Sequence, residues 1–289
     1  MTDLNIKTRA ELNVNPHQPH EAIILERIQE APDLFTLRLK FTNSNIQESY
    51  AFEPGQFNML YLYGVGEIAI SIVSDPDDCH IIDHTIRVVG RVTRGMANLK
   101  TGDRIGLRGP YGRGWPMQKA KKKDVVIVTG GLGCAPVVSV INYIEQRREQ
   151  YGHLNIVQGV KHSADFIWKN RYDKWREMPD TNVLLAADVG EVLWPWHVGP
   201  VTSLFDQMIF NPDNVIVMMC GPEGMMHVVC DHMLDNNVTA SQLFLSMERN
   251  MQCALGHCGH CQYGSKFICK DGPVFSFDKI SDLFGIKGF

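Results

Sequence analysis

The stretch Asp124-Val125-Val126-Ile127-Val128-Thr129-Gly130-Gly131-Leu132-Gly133-Cys134-Ala135-Pro136 runs from apolar residues through a glycine-rich turn to a proline suited to the first turn of a helix. Strand, turn and helix N-terminus in that order present backbone N–H groups to a phosphate, and the glycines let the backbone approach it closely. The spacing departs from the G-x-G-x-x-G dinucleotide fingerprint, and a plain strand-to-helix turn is the alternative reading. The downstream pattern favours the nucleotide. Further apolar strands are expected at 154–159, 182–186 and 214–220, separated by helical stretches of which the first covers 136–150. Such alternation is the pattern of a parallel α/β sheet.

Ligands bind outside the C-terminal ends of strands in these sheets, which picks out two more places. Cys220-Gly221-Pro222-Glu223-Gly224-Met225-Met226 follows the last strand, so Gly221, Pro222 and Met225 join Gly130, Gly131, Gly133, Cys134, Ala135 and Pro136 as candidate nucleotide contacts. Cys220 is placed to touch a nicotinamide ring, unless it is only a small residue that packs well. At the end of the second strand, Lys161-His162-Ser163 replaces the acidic residue that would favour an unphosphorylated ribose. Its charge leans toward NADP, although a surface lysine after a strand is also ordinary.

Upstream the period changes. Short strands at 22–25, 34–39, 57–62, 68–72 and 85–89, separated by Gly, Pro, Asn and Asp, indicate an antiparallel barrel of about six strands. The run Lys121-Lys122-Lys123 reads as a solvated joint between the barrel and the α/β domain.

Near the end of the chain, Cys253, Cys258, Cys261 and Cys269 follow the pattern Cys-x4-Cys-x2-Cys-x7-Cys, threaded with Gly256, Gly259 and Gly264. Wrapping several thiolates round one inorganic core needs sharp turns and N–H groups aimed at sulfur, which glycine permits. An x4-x2 opening suits a 2Fe-2S cluster. A zinc knuckle and a metal-free cysteine cluster are the alternatives. His257 and His260 lie inside the motif, but four cysteines already complete a ligand shell, so both histidines are read as outer or solvent-facing groups.

Composition excludes several classes. A formal net charge of -4, with no basic stripe and interleaved aromatics, argues against nucleic acid. No segment approaches the roughly 20 apolar residues of a membrane span, and the opening Met1-Thr2-Asp3-Leu4-Asn5 lacks a signal-peptide pattern, so a cytoplasmic location is expected. The other cysteines, Cys79, Cys134, Cys220 and Cys230, are scattered and fit reduced thiols. Trp194-Pro195-Trp196-His197 and the terminal Phe284 and Phe289 fit either partner docking or ordinary packing.

From about residue 20 onward the chain resembles the ferredoxin-NADP reductase superfamily, in the subgroup with a C-terminal 2Fe-2S loop. The marks are Pro54-Gly55-Gln56-Phe57, Ile70-Ser71-Ile72, Val89-Gly90-Arg91-Val92-Thr93, Gly109-Pro110-Tyr111-Gly112, the two glycine loops and the four cysteines. Within that subgroup, Ser246-Met247-Glu248-Arg249-Asn250-Met251-Gln252-Cys253 and Cys269-Lys270-Asp271-Gly272-Pro273-Val274-Phe275 look most like the gamma (diaphorase) subunits of soluble NiFe hydrogenases. The B subunit of anaerobic sulfite reductase and the electron-transfer subunit of dihydroorotate dehydrogenase are also similar.

The resemblance implies three regions: an FAD-binding antiparallel β-barrel domain over 18–120, an NAD(P)-binding α/β parallel-sheet domain over 121–245, and a small 2Fe-2S segment over 246–289. It places FAD against Ile70, Ser71, Ile72, Val89, Arg91, Thr93, Gly95, Met96 and Asn98. The family's flavin-strand arginine is Ile68 here, with Glu67 beside it, so the usual phosphate clamp is missing and Arg87, Arg91 or Arg94 is left to replace it. Hydride exchange between nicotinamide and flavin is expected near Ser71 and Cys220, followed by single-electron steps to the cluster. The partners implied are other subunits of a redox complex, namely iron-sulfur subunits and a NiFe hydrogenase catalytic subunit. Competing readings are a stand-alone NAD(P)H-dependent reductase and a zinc-stabilised regulatory module without electron transfer.

Overall fold

The computed structural model describes residues 15–78 and 80–286; the opening Met1 to Asn5, Cys79 and Phe289 lie outside them. The first sheet is built from β1 (His20–Ala31), β2 (Leu34–Phe41), β3 (Phe57–Leu62), β4 (Gly66–Ser71), β5 (Ile82–Arg87) and β6 (Arg104–Tyr111). Its order is β4-β3-β6-β1-β2-β5, with every pair antiparallel. Short helices α1 (Ser44–Ser49), α2 (Arg91–Met96) and α3 (Met117–Ala120) fill the connections. The twelve residues of β1 carry register shifts between Ile24 and Glu26 and between Gln29 and Ala31, irregularities of the kind that bend a strand. The sheet wraps Phe35, Leu37, Leu39, Leu60, Ile82, Ile86 and Ile105, all at 2 % exposure or less.

The terminal strands β4 and β5 are not neighbours in the hydrogen-bonded order, and a side chain links them instead. His84 Nδ1 donates to the Ser71 carbonyl at 2.9 Å, while the Asn58 amide donates to His84 Nε2 at 3.1 Å and to the Tyr50 hydroxyl at 2.7 Å. This neutral tautomer satisfies both ring nitrogens in a site with no exposure. Protonating Nε2 would set a donor against a donor.

After α3 the chain enters β7 (Asp124–Gly130), α4 (Ala135–Glu145), β8 (Leu154–His162), α5 (Lys169–Arg176), β9 (Thr181–Val189), β10 (His197–Val198), β11 (Val215–Cys220), α6 (Glu223–Asp235) and β12 (Leu243–Ser246). The cysteine segment follows, with the hairpin β13 (Gln262–Tyr263) and β14 (Lys266–Phe267), the turn of helix α7 (Ile268–Asp271) and β15 (Val274–Ser276). The second sheet has the order β10-β9-β8-β7-β11-β12-β15, parallel except for its last pair. β7 and β11 lie centrally, and their near-continuous apolar runs are what a strand covered on both faces requires.

Two expectations are corrected. The helix expected over 136–150 ends at Glu145, because Arg148 turns away to donate to the carbonyls of Pro179, Asp180 and Tyr151. The division expected at 245/246 falls inside β12, and β15 returns from the cysteine segment to pair with β12, so that segment is rooted in the nucleotide sheet. Trp194 and Trp196, both half-buried, pack on each other at 4.7 Å and on the buried Phe166 at 5.5 and 5.4 Å, so ordinary packing occupies part of their surface.

Burial holds the pKa of His84 down to about 4, against the ordinary 6.5, with the Ser71 carbonyl opposing the shift. The unfolded chain therefore takes up the proton first: the stabilisation is complete above pH 6.5 and is lost as pH falls toward 4. At most roughly 3 kcal/mol should disappear over that window. Denaturant unfolding from pH 7 to 4.5 should show this slope in the parent and a flatter one in His84→Gln; parallel profiles would refute the assignment.

Candidate cofactor cleft and cysteine loop

A cleft of about 800 Å³ opens along the free edge of β4. Glu67 to Ser71 form one wall, Arg87 and Val89 to Thr93 a second, Leu132, Ala135 and Pro136 at the start of α4 a third, and residues 248–252 close it. Apolar Ile68, Ile70, Val89 and Leu132 lie beside Ser71, Thr85 and the guanidinium groups of Arg87, Arg91 and Arg249. An apolar slot with a few convergent polar groups and cations suits a flat ring system carrying an anionic tail, which is the chemistry of a flavin dinucleotide. Arg87 and Arg91 line the cleft and Arg94 is not among its lining residues, which narrows the candidates for the missing phosphate clamp.

Of the residues assigned to a flavin by resemblance, Ile70, Ser71, Val89, Arg91 and Thr93 border the cleft. Thr93 Oγ1 is already engaged, accepting from the N–H groups of Val89 and Gly90. The other four lie away from its lining. Ile72 and Met96 have no exposure and belong to the barrel core, Gly95 lies close against Leu62, and the Asn98 amide turns back to the Arg94 carbonyl at 3.0 Å. Motif adjacency carried them in the sequence, but the pleat and the helix turn point them elsewhere.

The two glycine loops press against each other. A Cβ at Gly133 would stand 2.2 Å from the Cys220 carbonyl oxygen, and one at Gly130 would meet Pro222 and Met225 at 2.7 and 2.8 Å. Gly131 has open space around it and a φ of +55°, so it is free to approach a ligand. Ala135 and Pro136 reach the cleft at the N-terminus of α4, while Cys134 turns inward against Leu34 and Ile167. Burial pushes its thiol up to about 12. Cys220 is 2 % exposed, and burial raises its thiol further, so it is a neutral, polarisable group at the end of β11. Lys161 is exposed at the end of β8, apart from this cleft.

The cysteine loop begins where the fourth wall ends, at Cys253. Backbone N–H groups point at its sulfurs: Leu255 and His257 donate to Cys253 Sγ at 3.4 and 3.3 Å, Gly256 to Cys269 Sγ at 3.2 Å, and Cys269 to Cys261 Sγ at 3.4 Å. Burial disfavours the Cys253 thiolate, yet the N–H groups of Leu255, His257 and Cys258, with the Cys258 thiol alongside, bring its pKa down to about 6. Burial pushes Cys269 up to about 12, with the Cys261 thiol beside it adding to the rise. The sulfurs thus come as two neighbouring pairs, 253 with 258 and 261 with 269. Cysteine sulfurs met by backbone N–H donors are the donor chemistry that an iron-sulfur core takes. Cys258 and His257 are exposed, whereas Cys261 and Cys269 are buried, so one edge of the loop faces solvent.

Residues 248–252, Arg108 and Glu67 were missed as site residues. The stretch 248–252 stood out in the sequence as part of a family mark and by its adjacency to Cys253, with nothing to place it against a cleft; Arg108 and Glu67 meet only through the fold.

Because the obstacle at Gly133 is backbone, Gly133→Ala should cost about 1–3 kcal/mol and loosen both loops. Chemical unfolding of the variant measures this; unchanged stability would contradict the close approach.

Residues 127–231 match the family model for the oxidoreductase NAD-binding domain, and residues 248–281 match that for the iron-sulfur cluster binding domain of dihydroorotate dehydrogenase B. The chain is 34 % identical over 278 residues to sulfhydrogenase 1 subunit gamma of Pyrococcus furiosus, covering 93 % of this chain and 94 % of that one. It is 30 % identical over 259 residues to a probable dihydroorotate dehydrogenase B (NAD(+)) electron transfer subunit of Methanocaldococcus jannaschii, covering 89 % of each. The fold matches a ferredoxin NADP+ reductase of Neisseria gonorrhoeae solved with FAD and NADP, at a TM-score of 0.64 and 21 % identity over 74 % of this chain and 90 % of that one. It also matches an NADH-dependent reduced ferredoxin-NADP oxidoreductase, at 0.68 and 22 % over 91 % and 92 %. With matches to an oxidoreductase NAD-binding domain and an iron-sulfur cluster binding domain and relatives of this identity along most of its length, the chain belongs to the oxidoreductase family that holds the sulfhydrogenase gamma subunits and the dihydroorotate dehydrogenase B electron transfer subunits, on the fold of the ferredoxin-NADP reductases.

Proposed function

We propose that this chain is an electron-transfer (diaphorase) subunit that passes electrons between NAD(P)(H), FAD and a 2Fe-2S cluster, and on to or from a partner redox subunit, a soluble NiFe hydrogenase. One observation carries this reading: the fourth wall of the cleft, residues 248–252, runs without a break into Cys253, the first residue of the thiol loop. A flavin bound in the cleft supplies the exchange between two-electron hydride and one-electron chemistry. The chain's own residues then have separate tasks. Ile70, Ser71 and Val89 hold the ring system, and Arg87 and Arg91 meet its pyrophosphate. Gly131 and the N-terminus of α4 receive the nicotinamide dinucleotide, with Lys161 toward a 2′-phosphate. Cys220 stays a neutral thiol near the ring, so it packs and orients and does not serve as an acid or base. Cys253, Cys258, Cys261 and Cys269 hold the cluster, and the exposed edge at His257 and Cys258 is where a partner receives or delivers electrons.

The hydrogenase assignment rests on the higher identity and coverage of the sulfhydrogenase gamma subunit. The match of residues 248–281 to a dihydroorotate dehydrogenase B domain favours a second reading, the same electron path serving a dihydroorotate-oxidising partner. Anaerobic, low-salt affinity purification of the chain from its native host, followed by metal analysis and a visible spectrum, separates them. Nickel and excess iron with large partner chains are expected. A partner that oxidises dihydroorotate would move the assignment to the second reading, and sirohaem would move it to a sulfite reductase. A lone yellow-brown protein with about two irons would indicate a stand-alone reductase, and a colourless zinc protein would refute electron transfer.

A further inference from the structure

Residues directly opposite on neighbouring strands share a face, as do residues two apart on one strand. Tyr61 of β3 stands opposite both Glu67 of β4 and Gly106 of β6, and Met59 stands opposite Ala69 and Arg108. Glu67 and Arg108 therefore project from the same side, across β3. Their contact is a fork: Arg108 Nε and Nη2 donate to the two Glu67 carboxylate oxygens, each at 2.6 Å. Two of the remaining donors leave the barrel and a third stays within it. Nη2 reaches the Gln252 carbonyl at 3.0 Å, and Nη1 reaches the Cys253 carbonyl at 2.8 Å and the Tyr111 hydroxyl at 3.1 Å. The Arg108 side chain is 5 % exposed, and Glu67 is 22 % exposed in the cleft wall.

A guanidinium so buried is costly unless every donor is met, and here two of its acceptors are the last carbonyls before and at the first thiol ligand. We infer that Arg108 is a positioning residue that clamps the cysteine loop to the flavin strand and, with Glu67 as counter-charge, sets the potential of the cluster. The inference rests on the reading that the four cysteines hold an iron-sulfur cluster. Taking up one electron makes that cluster more negative by one charge, with no bond formed or broken. A cation one peptide from the Cys253 sulfur favours the reduced form, and a carboxylate behind it tempers that effect; in a poorly hydrated junction both are felt. A purely mechanical strut would hold the loop without making the two charges act in opposite directions.

The test is an EPR-monitored redox titration of the cluster in the purified holo-chain, poised with dithionite and mediators, with iron content as control. Arg108→Met, which removes the cation and leaves the carboxylate, should shift the midpoint down. Glu67→Gln, which leaves the cation unopposed, should shift it up. Each shift should be on the order of a tenfold change in the reduced-to-oxidised ratio at fixed potential, ~59 mV for a one-electron couple. Arg108→Lys keeps the charge and should stay near the parent value. Midpoints that do not move, or that move in the same direction in both single variants, overturn the proposal. Should Arg108→Met lose its cluster or fail to fold, Glu67→Gln decides alone, since an unchanged or lowered midpoint refutes the charge role. A parent chain without an EPR-active cluster refutes the cluster reading itself, a result distinct from unshifted variants.

Discussion

The cysteine loop is closed by the sheet it leaves. β12 delivers the chain outward and β15 brings it back as the adjacent antiparallel strand, with Ser246 opposite Val274. Neighbouring strands lie about 4.8 Å apart, so the two roots of the excursion are fixed by backbone pairing whatever happens at its tip. Further bonds tighten the roots: Met247 N–H donates to the Pro273 carbonyl at 2.8 Å, and Arg113 N–H to the Gly272 carbonyl at 2.6 Å, the latter reaching in from the barrel. The loop is thereby tied to both sheets, and its first strand-free residues become the fourth wall of the cleft. Electron transfer between a ring in that cleft and a cluster in that loop would need no moving part, because one short stretch of chain belongs to both.

The groups near the cleft divide by charge. Those beneath or behind it are held neutral: His84 in its closed network and the buried thiols of Cys134 and Cys220. Charge appears where it is paired or partly exposed, in Arg108 with Glu67 and in the guanidinium groups along the rim. A hydride step needs rings positioned and water kept out, not a proton donor, so neutral packing around the ring is the appropriate environment. The thiol loop shows the opposite preference at Cys253, whose N–H donors favour the thiolate that a metal requires.

Much of this was legible in the sequence because it rests on local pattern. The strand-to-glycine-to-helix stretch at 124–136, the period change at the lysine run and the cysteine spacing each depend on neighbours along the chain. What stayed hidden depends on contacts at a distance. β6 escaped because Arg-Ile-Gly-Leu-Arg-Gly-Pro-Tyr interrupts its own alternation, and β15 is too short to show any period. Arg148 ends a helix through carbonyls some thirty residues away. Ile72 and Met96 flank motif residues yet face the barrel core. Arg108 carried no signal at all, because its partners Glu67, Gln252 and Cys253 are assembled only when the barrel and the thiol loop meet.

In the proposed function one chain joins hydride chemistry to single-electron chemistry. Anaerobic titration of the isolated holo-chain with NADH and, separately, NADPH, followed by visible and EPR spectra, tests it most directly. Uptake of about three electrons per chain is expected, two by the flavin and one by a 2Fe-2S cluster whose EPR signal grows as nicotinamide is added. Uptake of only about two electrons with the cluster left oxidised, by either nucleotide and at any excess, would contradict it.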